Sequence, residues 1–342
     1  MDTLLIEGWL EGLDRTPMID EASVALVREQ VRAIGAELSL SKTVIGSLVN
    51  VASELGHNQL RHARRGSIAI RRIERGGVPG LEIVAADTGD GIVHPAQAIQ
   101  GKARGESSGG DSLGVGLAAV VELADEVDFD VRMQEGTCIW ARKFAAAVPR
   151  RRQVGIYGRP HPEERISGDD GMFVRQDDAL LVGVADGLGH GYLARDASSR
   201  AVETVREHAP LGIERTLEKC HATLAGTRGA VMTVARVNEP GDTVEAAYAG
   251  NVNLHIYGPR GARRGMGPSI VLGMPNTKPK AWREDHALDG RDVLVLFSDG
   301  LTTRTDIDGE FDLLREHPIV VAQALADRFG RDNDDLLVLV AR

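Results

Sequence analysis

The chain has 342 residues, 42% of them hydrophobic and 26% charged, which is long enough for two domains that each bury a core and excludes one small domain. Acidic residues outnumber basic ones 50 to 40, and the formal charge of -10 argues against nucleic acid or an anionic membrane surface as the main partner. No apolar run approaches the ~20 residues needed to span a bilayer, and the amino terminus carries acids instead of a basic leader, so cytoplasmic residence is expected. Forty glycines against 4% aromatic residues point to many tight turns and close backbone approaches. Cys138 and Cys220 stand far apart and are expected to be reduced thiols.

In the first half, apolar residues at three- and four-residue spacing predict helices over Asp20–Glu37 and Ser41–Ala63, with Ser41 as an N-cap. Strands are predicted over Ser67–Ile73 and Leu81–Ala86, on either side of the turn signal GGVPG. A helix over Val115–Ala124 and strands over Glu126–Met133 and Thr137–Phe144 complete this half, with the helices expected on one face of a mixed sheet. The segment AAAVPRRR at 145–152 reads as a linker, giving expected domains 1–148 and 149–342, and acids exceed bases in both.

The second half consists of short β-branched runs (VGIYG, LLVGVA, GAVMTVARV, TVEAAYAG, VNLHIYG, DVLVLF, DLLVLVA) and helices over Leu193–His208, Ile213–Ala225 and Ile319–Phe329. That pattern predicts a β-sandwich flanked by helices, so the whole chain is α+β.

Three patterns in the first half suggest a nucleotide site. In SELGHN, Glu54 and Asn58 lie four apart on one helix face. In DTGDG, Asp87 stands at a strand end beside Gly89 and Gly91, where a carboxylate can accept from an exocyclic amine while bare backbone admits a purine. In SLGVGLAAV, Gly114 and Gly116 open a helix whose free N–H groups suit phosphate. Taken singly, each has a plain alternative as solvated helix face, turn or helix start, but their order and spacing favour one site.

These motifs resemble the N, G1 and G2 boxes of the GHKL ATPase superfamily, and SELGHN and EGTCIWARKF look most like the anti-sigma and switch-protein serine kinases of partner-switching systems. The resemblance implies a Bergerat-type α/β sandwich binding ATP with Mg²⁺. It implies that Asn58 coordinates the Mg²⁺, Asp87 contacts adenine and Glu54 acts as general base toward a serine or threonine hydroxyl. The Gly- and Ser-rich GKARGESSGGDS would be a lid over the phosphates.

In the second half, Asp169 in SGDDG, Asp186 in ADGLGHG, Asp299 in FSDGLT and Asp334 in NDDLLVLV stand at strand ends or turns. Asp-Gly after a strand is commonly a hairpin turn, but converging carboxylates at strand tips also gather a hard divalent cation. The ordered set resembles the PPM family of metal-dependent serine/threonine phosphatases, in particular its sporulation stage II E branch. That resemblance implies two Mn²⁺ or Mg²⁺ ions held by Asp169, Asp186, the Gly187 carbonyl, Asp299 and Asp334, with Asp186 and Asp299 central to hydrolysis. His190 is expected to shape its loop more than to donate a proton.

Together the resemblances imply a bifunctional partner-switching regulator. It would dephosphorylate a phosphorylated STAS-domain antagonist, act indirectly on a sigma factor or other switch target, and carry a kinase in its first domain. The alternative is a phosphatase whose first domain is a non-catalytic, ATP-dependent binding module. No nucleic acid or membrane partner is expected.

Overall fold

The computed structural model describes residues 4–101, 116–176, 178–275, 282–302 and 304–342. Two compact units emerge, Met1–Gln153 and Val154–Arg342.

The first unit runs α1 (Leu4–Trp9), β1 (Arg15–Met18), α2 (Glu21–Glu37), α3 (Lys42–His62), β2 (Ala63–Arg75), β3 (Val78–Gly89), α4 (Pro95–Ile99), α5 (Gly116–Leu123), β4 (Glu126–Arg132) and β5 (Gly136–Phe144). Both long helices begin at side-chain caps: Asp20 accepts from the Ser23 N–H at 2.9 Å and Ser41 from the Val44 N–H at 3.2 Å. The strands lie in the order β1-β2-β3-β5-β4, and β2 meets β3 through Gly76 and Gly77, whose φ values of 57° and 79° suit a tight hairpin.

The expectation of a mixed sheet is corrected, because these neighbours all pair antiparallel. The crossover from β3 through α4 and α5 does return β4 in the direction of β3. However, β5, the hairpin partner of β4, inserts between them, so no parallel ladder forms. β3 also runs further than expected, since β2 and β5 continue to pair with Asp87. DTG is therefore strand, not turn. The segment after β5 is tied back to this unit: Pro149 O accepts from Arg75 at 2.9 Å and Gln153 Oε1 from the Val127 N–H at 2.7 Å.

Alternation divides the sheet faces. Val84, Ala86 and Cys138 pack with Trp9 and Leu10 of the amino-terminal segment, while Ala85, Asp87, Thr137 and Ile139 face the α3 side.

The second unit comprises β6 (Val154–Arg159), β7 (Asp169–Gln176), β8 (Ala179–Gly187), α6 (Tyr192–His208), α7 (Ile213–Thr223), β9 (Ala230–Asn238), β10 (Thr243–Ala249), β11 (Asn253–Tyr257), β12 (Arg263–Gly265), β13 (Trp282–Ala287), β14 (Val293–Phe297), α8 (Phe311–Leu314), α9 (Pro318–Phe329) and β15 (Leu336–Ala341). One sheet has the order β6-β15-β14-β11-β12 and the other β13-β10-β9-β8-β7. Leu180, Val182, Val184, Leu294, Leu296, Leu337 and Leu339 fill the core between them. The intervening residues of β8 and β9, such as Leu181 and Met232, face α6 and α7 with Ala197, Ala201, Leu217 and Cys220. The sandwich flanked by helices follows directly from these two periodicities. Both cysteines are buried, and neither forms a disulfide.

Candidate active sites

In the first unit, α3 overlooks the sheet. Buried Gln59 anchors it there by donating to Ala86 O at 3.0 Å and Ser67 O at 3.3 Å. Gly66 makes that approach possible, since a Cβ there would lie 2.5 Å from Gln59 Oε1. Sequence reading passed over Gln59, although a polar residue on the apolar face of α3 was the available signal. With the helix so placed, Glu54, Asn58, Asp87, Gly89, Gly91 and Gly116 line one cavity of about 700 Å³, together with His57, Arg61 and His62. Gly114 and most of the expected lid lie outside the described residues.

Asp87 stands half-buried on this cavity wall, and burial pushes its carboxyl up to about 7 against the opposing Thr137 N–H bond. Gly91 must be glycine for two reasons: its φ is 77°, and a Cβ would lie 3.0 Å from Arg132 O. The His57 ring meets Glu21 at 3.0 Å and ties α3 to α2. A purine-sized cavity with an acid on its wall and polar groups at its mouth fits a nucleotide.

In the second unit, the ladder sets Asp169 opposite Asp186. Alternation continued past β8, β14 and β15 directs Asp186, Ser298 and Asp335 toward the inter-sheet side, at the end of the sandwich where these strands meet. Asp186 lies beside Asp299, and Asp169 beside Ser298. Ser298 Oγ in turn accepts from the Leu337 N–H at 3.0 Å, and Asn251 donates to Asp299 at 3.1 Å.

Asp169, Asp186, Asp299 and Asp334 therefore lie within electrostatic reach of one another. Burial first, and then mutual repulsion, raises the carboxyls of Asp169 and Asp186, the latter to about 10. Asp334 is raised too, by burial and by Asp299.

Among the described residues, no three acidic, histidine or cysteine side chains close into a ready metal cage. The donor chemistry nevertheless fits hard divalent cations. Asp169 Oδ2 and Asp335 Oδ2 are buried without a hydrogen-bond partner, and uncompensated carboxylate oxygens of this kind are what such ions take. Gly187 ends β8, where a Cβ would lie 2.0 Å from Ala194 O, so only glycine lets α6 approach.

Sequence reading missed several supporting groups. Asp335 accepts from the His161 N–H at 2.7 Å. Asp170 accepts from Ser199 at 2.9 Å. Arg195 donates to Ser167 O at 3.1 Å and Asp169 O at 3.2 Å, clamping the SGDD turn from α6. Ser298 was legible as a polar residue continuing the inward alternation of β14. His190 stacks on His161 at 4.7 Å and meets Glu164 at 3.2 Å, on the rim.

Comparison with known proteins gives a separate match for each part of the chain. The model described as histidine kinase-like ATPase domain matches residues 19–143, and stage II sporulation protein E (SpoIIE) matches residues 176–342. Serine/threonine-protein kinase RsbT of Bacillus subtilis (strain 168) is 31% identical over 127 residues, 37% of this chain and 92% of RsbT. The chain belongs to the histidine kinase-like ATPase family in its first part, and its second part is similar to SpoIIE. Phosphoserine phosphatase RsbX of the same organism is 26% identical to this kinase-like and SpoIIE-like chain over 150 residues, 44% of it and 74% of RsbX. A solved chain described under "The bacterial stressosome: a modular system that has been adapted to control secondary messenger signaling" is 27% identical, with a TM-score of 0.53. That match covers 56% of this chain and all of the other. The SpoIIE part is a metal-dependent serine/threonine phosphatase domain of the PPM type, and the kinase-like part is an ATP-binding domain. Among the described residues, no helix is long and apolar enough to cross a membrane.

Proposed function

We propose that this protein sets the phosphorylation state of a serine or threonine on a STAS-type antagonist protein, removing phosphate with residues 149–342 and adding it with residues 1–148. The observation that carries this reading is the pairing in one chain of sequence covering 92% of a serine/threonine kinase and 74% of a phosphoserine phosphatase. A kinase relative favours phosphoryl transfer over the alternative of a non-catalytic binding module.

In the phosphatase part, Asp169, Asp186, Asp299, Asp334 and the Gly187 carbonyl would hold two Mn²⁺ or Mg²⁺ ions. Such ions supply charge neutralisation and an acidified water for in-line attack on phosphorus. The chain's own groups set the geometry: Ser298 orients Asp169, Asn251 orients Asp299, and Arg195 holds the loop bearing Asp169. In the kinase part, Asn58 would hold the Mg²⁺ of ATP, Asp87 would take the adenine amine, and Gly89, Gly91, Gly114 and Gly116 would leave room for base and phosphates. Glu54, on the cavity wall one helical turn from Asn58, would draw the proton from the acceptor hydroxyl as its oxygen bonds to the γ-phosphorus of ATP and the bridging bond breaks to release ADP.

The test uses the full chain with a STAS-domain partner and [γ-³²P]ATP. Asp299→Asn should let label accumulate on the partner, and Asp299→Asn with Glu54→Ala should show none. If the first variant leaves phosphate release from the labelled partner unchanged, the phosphatase assignment fails; if it transfers no label, the kinase assignment fails.

A further inference from the structure

We propose that Arg228 is the guanidinium that grips the phosphoryl group at the acidic pole of the second unit, an assignment that rests on the phosphatase reading. Sequence alone offers many arginines and singles out none. The fold does so through strand register. β8 and β9 pair Asp186 with Val231 and Gly187 with Ala230. The ladder then continues one step beyond β9, with the Leu188 N–H donating to Gly229 O at 3.0 Å. Arg228 therefore arrives beside Gly189, three residues past Asp186. A Cβ built on Gly189 would lie 2.9 Å from Arg228 Nη1, so the guanidinium rests along the GLGH loop.

The turn that delivers Arg228 is tightly held. Gly229 has φ of 83°, and a Cβ there would lie 2.7 Å from Leu272 O, so no other residue fits. Thr227 Oγ1 donates to Leu224 O at 2.7 Å and accepts from the Gly229 N–H at 3.0 Å. This rigid turn contrasts with the exposure of the side chain it carries. Among the described residues Arg228 makes no hydrogen bond or ion pair, whereas Arg195, also near Asp169, is buried and engaged with backbone carbonyls.

An unengaged guanidinium keeps its planar fork of N–H donors for a ligand, and that fork matches two oxygens of a phosphate. A phosphomonoester dianion approaching Asp169, Asp186, Asp299 and Asp334 is repelled by them, so a fixed cation at the rim both attracts the ester and fixes its orientation. Structural demand for Arg228 is low, since among the described residues its removal breaks no hydrogen bond or ion pair.

The experiment uses the full chain with Mn²⁺, p-nitrophenyl phosphate and a phosphoserine peptide. Arg228→Ala should lower kcat/KM for both by roughly 10- to 100-fold, the range for one charge-assisted contact. Inhibition by inorganic phosphate should weaken by a similar factor, while the Mn²⁺ dependence and Tm stay as in wild type. Arg228→Lys should recover only part of the loss, because an ammonium cannot make the paired contact. Unchanged KM and phosphate inhibition in Arg228→Ala, or a changed Mn²⁺ dependence, would each overturn the assignment. A wild-type chain that hydrolyses neither substrate would overturn the phosphatase reading itself, and this assignment with it.

Discussion

Asp87 shows how a carboxyl on a cavity wall can weaken the fold that carries it. Its carboxyl is raised to about 7 by burial, against roughly 4 when unfolded. The folded state therefore keeps a proton that the unfolded state releases, and stability of the nucleotide-free protein falls as pH rises from about 4 to 7. Above that window the cost is fully present, up to about 4 kcal/mol by linkage. Asp87→Asn is expected to flatten this slope and raise Tm at pH 8, while weakening ATP binding by about tenfold or more through loss of a charged acceptor. Thermal melts across pH, with and without ATP, check both parts; a lower Tm for the variant at pH 8 would contradict them.

At the scale of elements, glycines decide which layers can touch. α9 lies against β6 at Gly155, where a Cβ would fall 2.2 Å from the Ile319 nitrogen. Backbone cannot yield as a side-chain end does, so Gly155→Ala is expected to cost about 1–3 kcal/mol by overpacking. For a unit of this size that is a fall in Tm of roughly 2–10 °C. Gly155 pairs with Val340, at the opposite end of β15 from Asp334 and Asp335, so kcat at saturating Mn²⁺ should stay within about twofold. Calorimetry paired with phosphate release separates the two effects.

For the whole molecule, the overall acidity noted at the outset has a local counterpart. Asp169, Asp186 and Asp334 are all raised, chiefly by burial and also by one another. As pH climbs from about 4 toward the raised value near 10 of Asp186, the metal-free fold loses stability, because the unfolded chain ionises first. Divalent cations should reverse this. At a hundredfold excess over Kd, Mn²⁺ is expected to add about 2.7 kcal/mol, or roughly 5–10 °C in Tm. The gain should be larger at pH 8 than at pH 5 and be removed by chelator. Equal melting of chelated and Mn²⁺-loaded protein at pH 8 would count against a cation site there.

Sequence by itself determined the local structure and the chemical inventory. The cap at Ser41, the periodicity of α2, α3, α6 and α9, and the motifs carrying Glu54, Asn58, Asp87, Asp186 and Asp299 all depend on near neighbours, so spacing reveals them. Tertiary structure alone decided how those pieces meet. The insertion of β5 between β3 and β4 turned an expected mixed sheet antiparallel. Pairing on both sides extended β3 through Asp87. Gln59, Ser298, Asn251 and Arg195 gained their roles only when distant strands and helices brought partners within hydrogen-bond reach. Arg228 is the clearest case, because its place beside Gly189 comes from the β8–β9 register. Strand register is settled by burial of whole apolar faces across long sequence separations, which no short motif encodes.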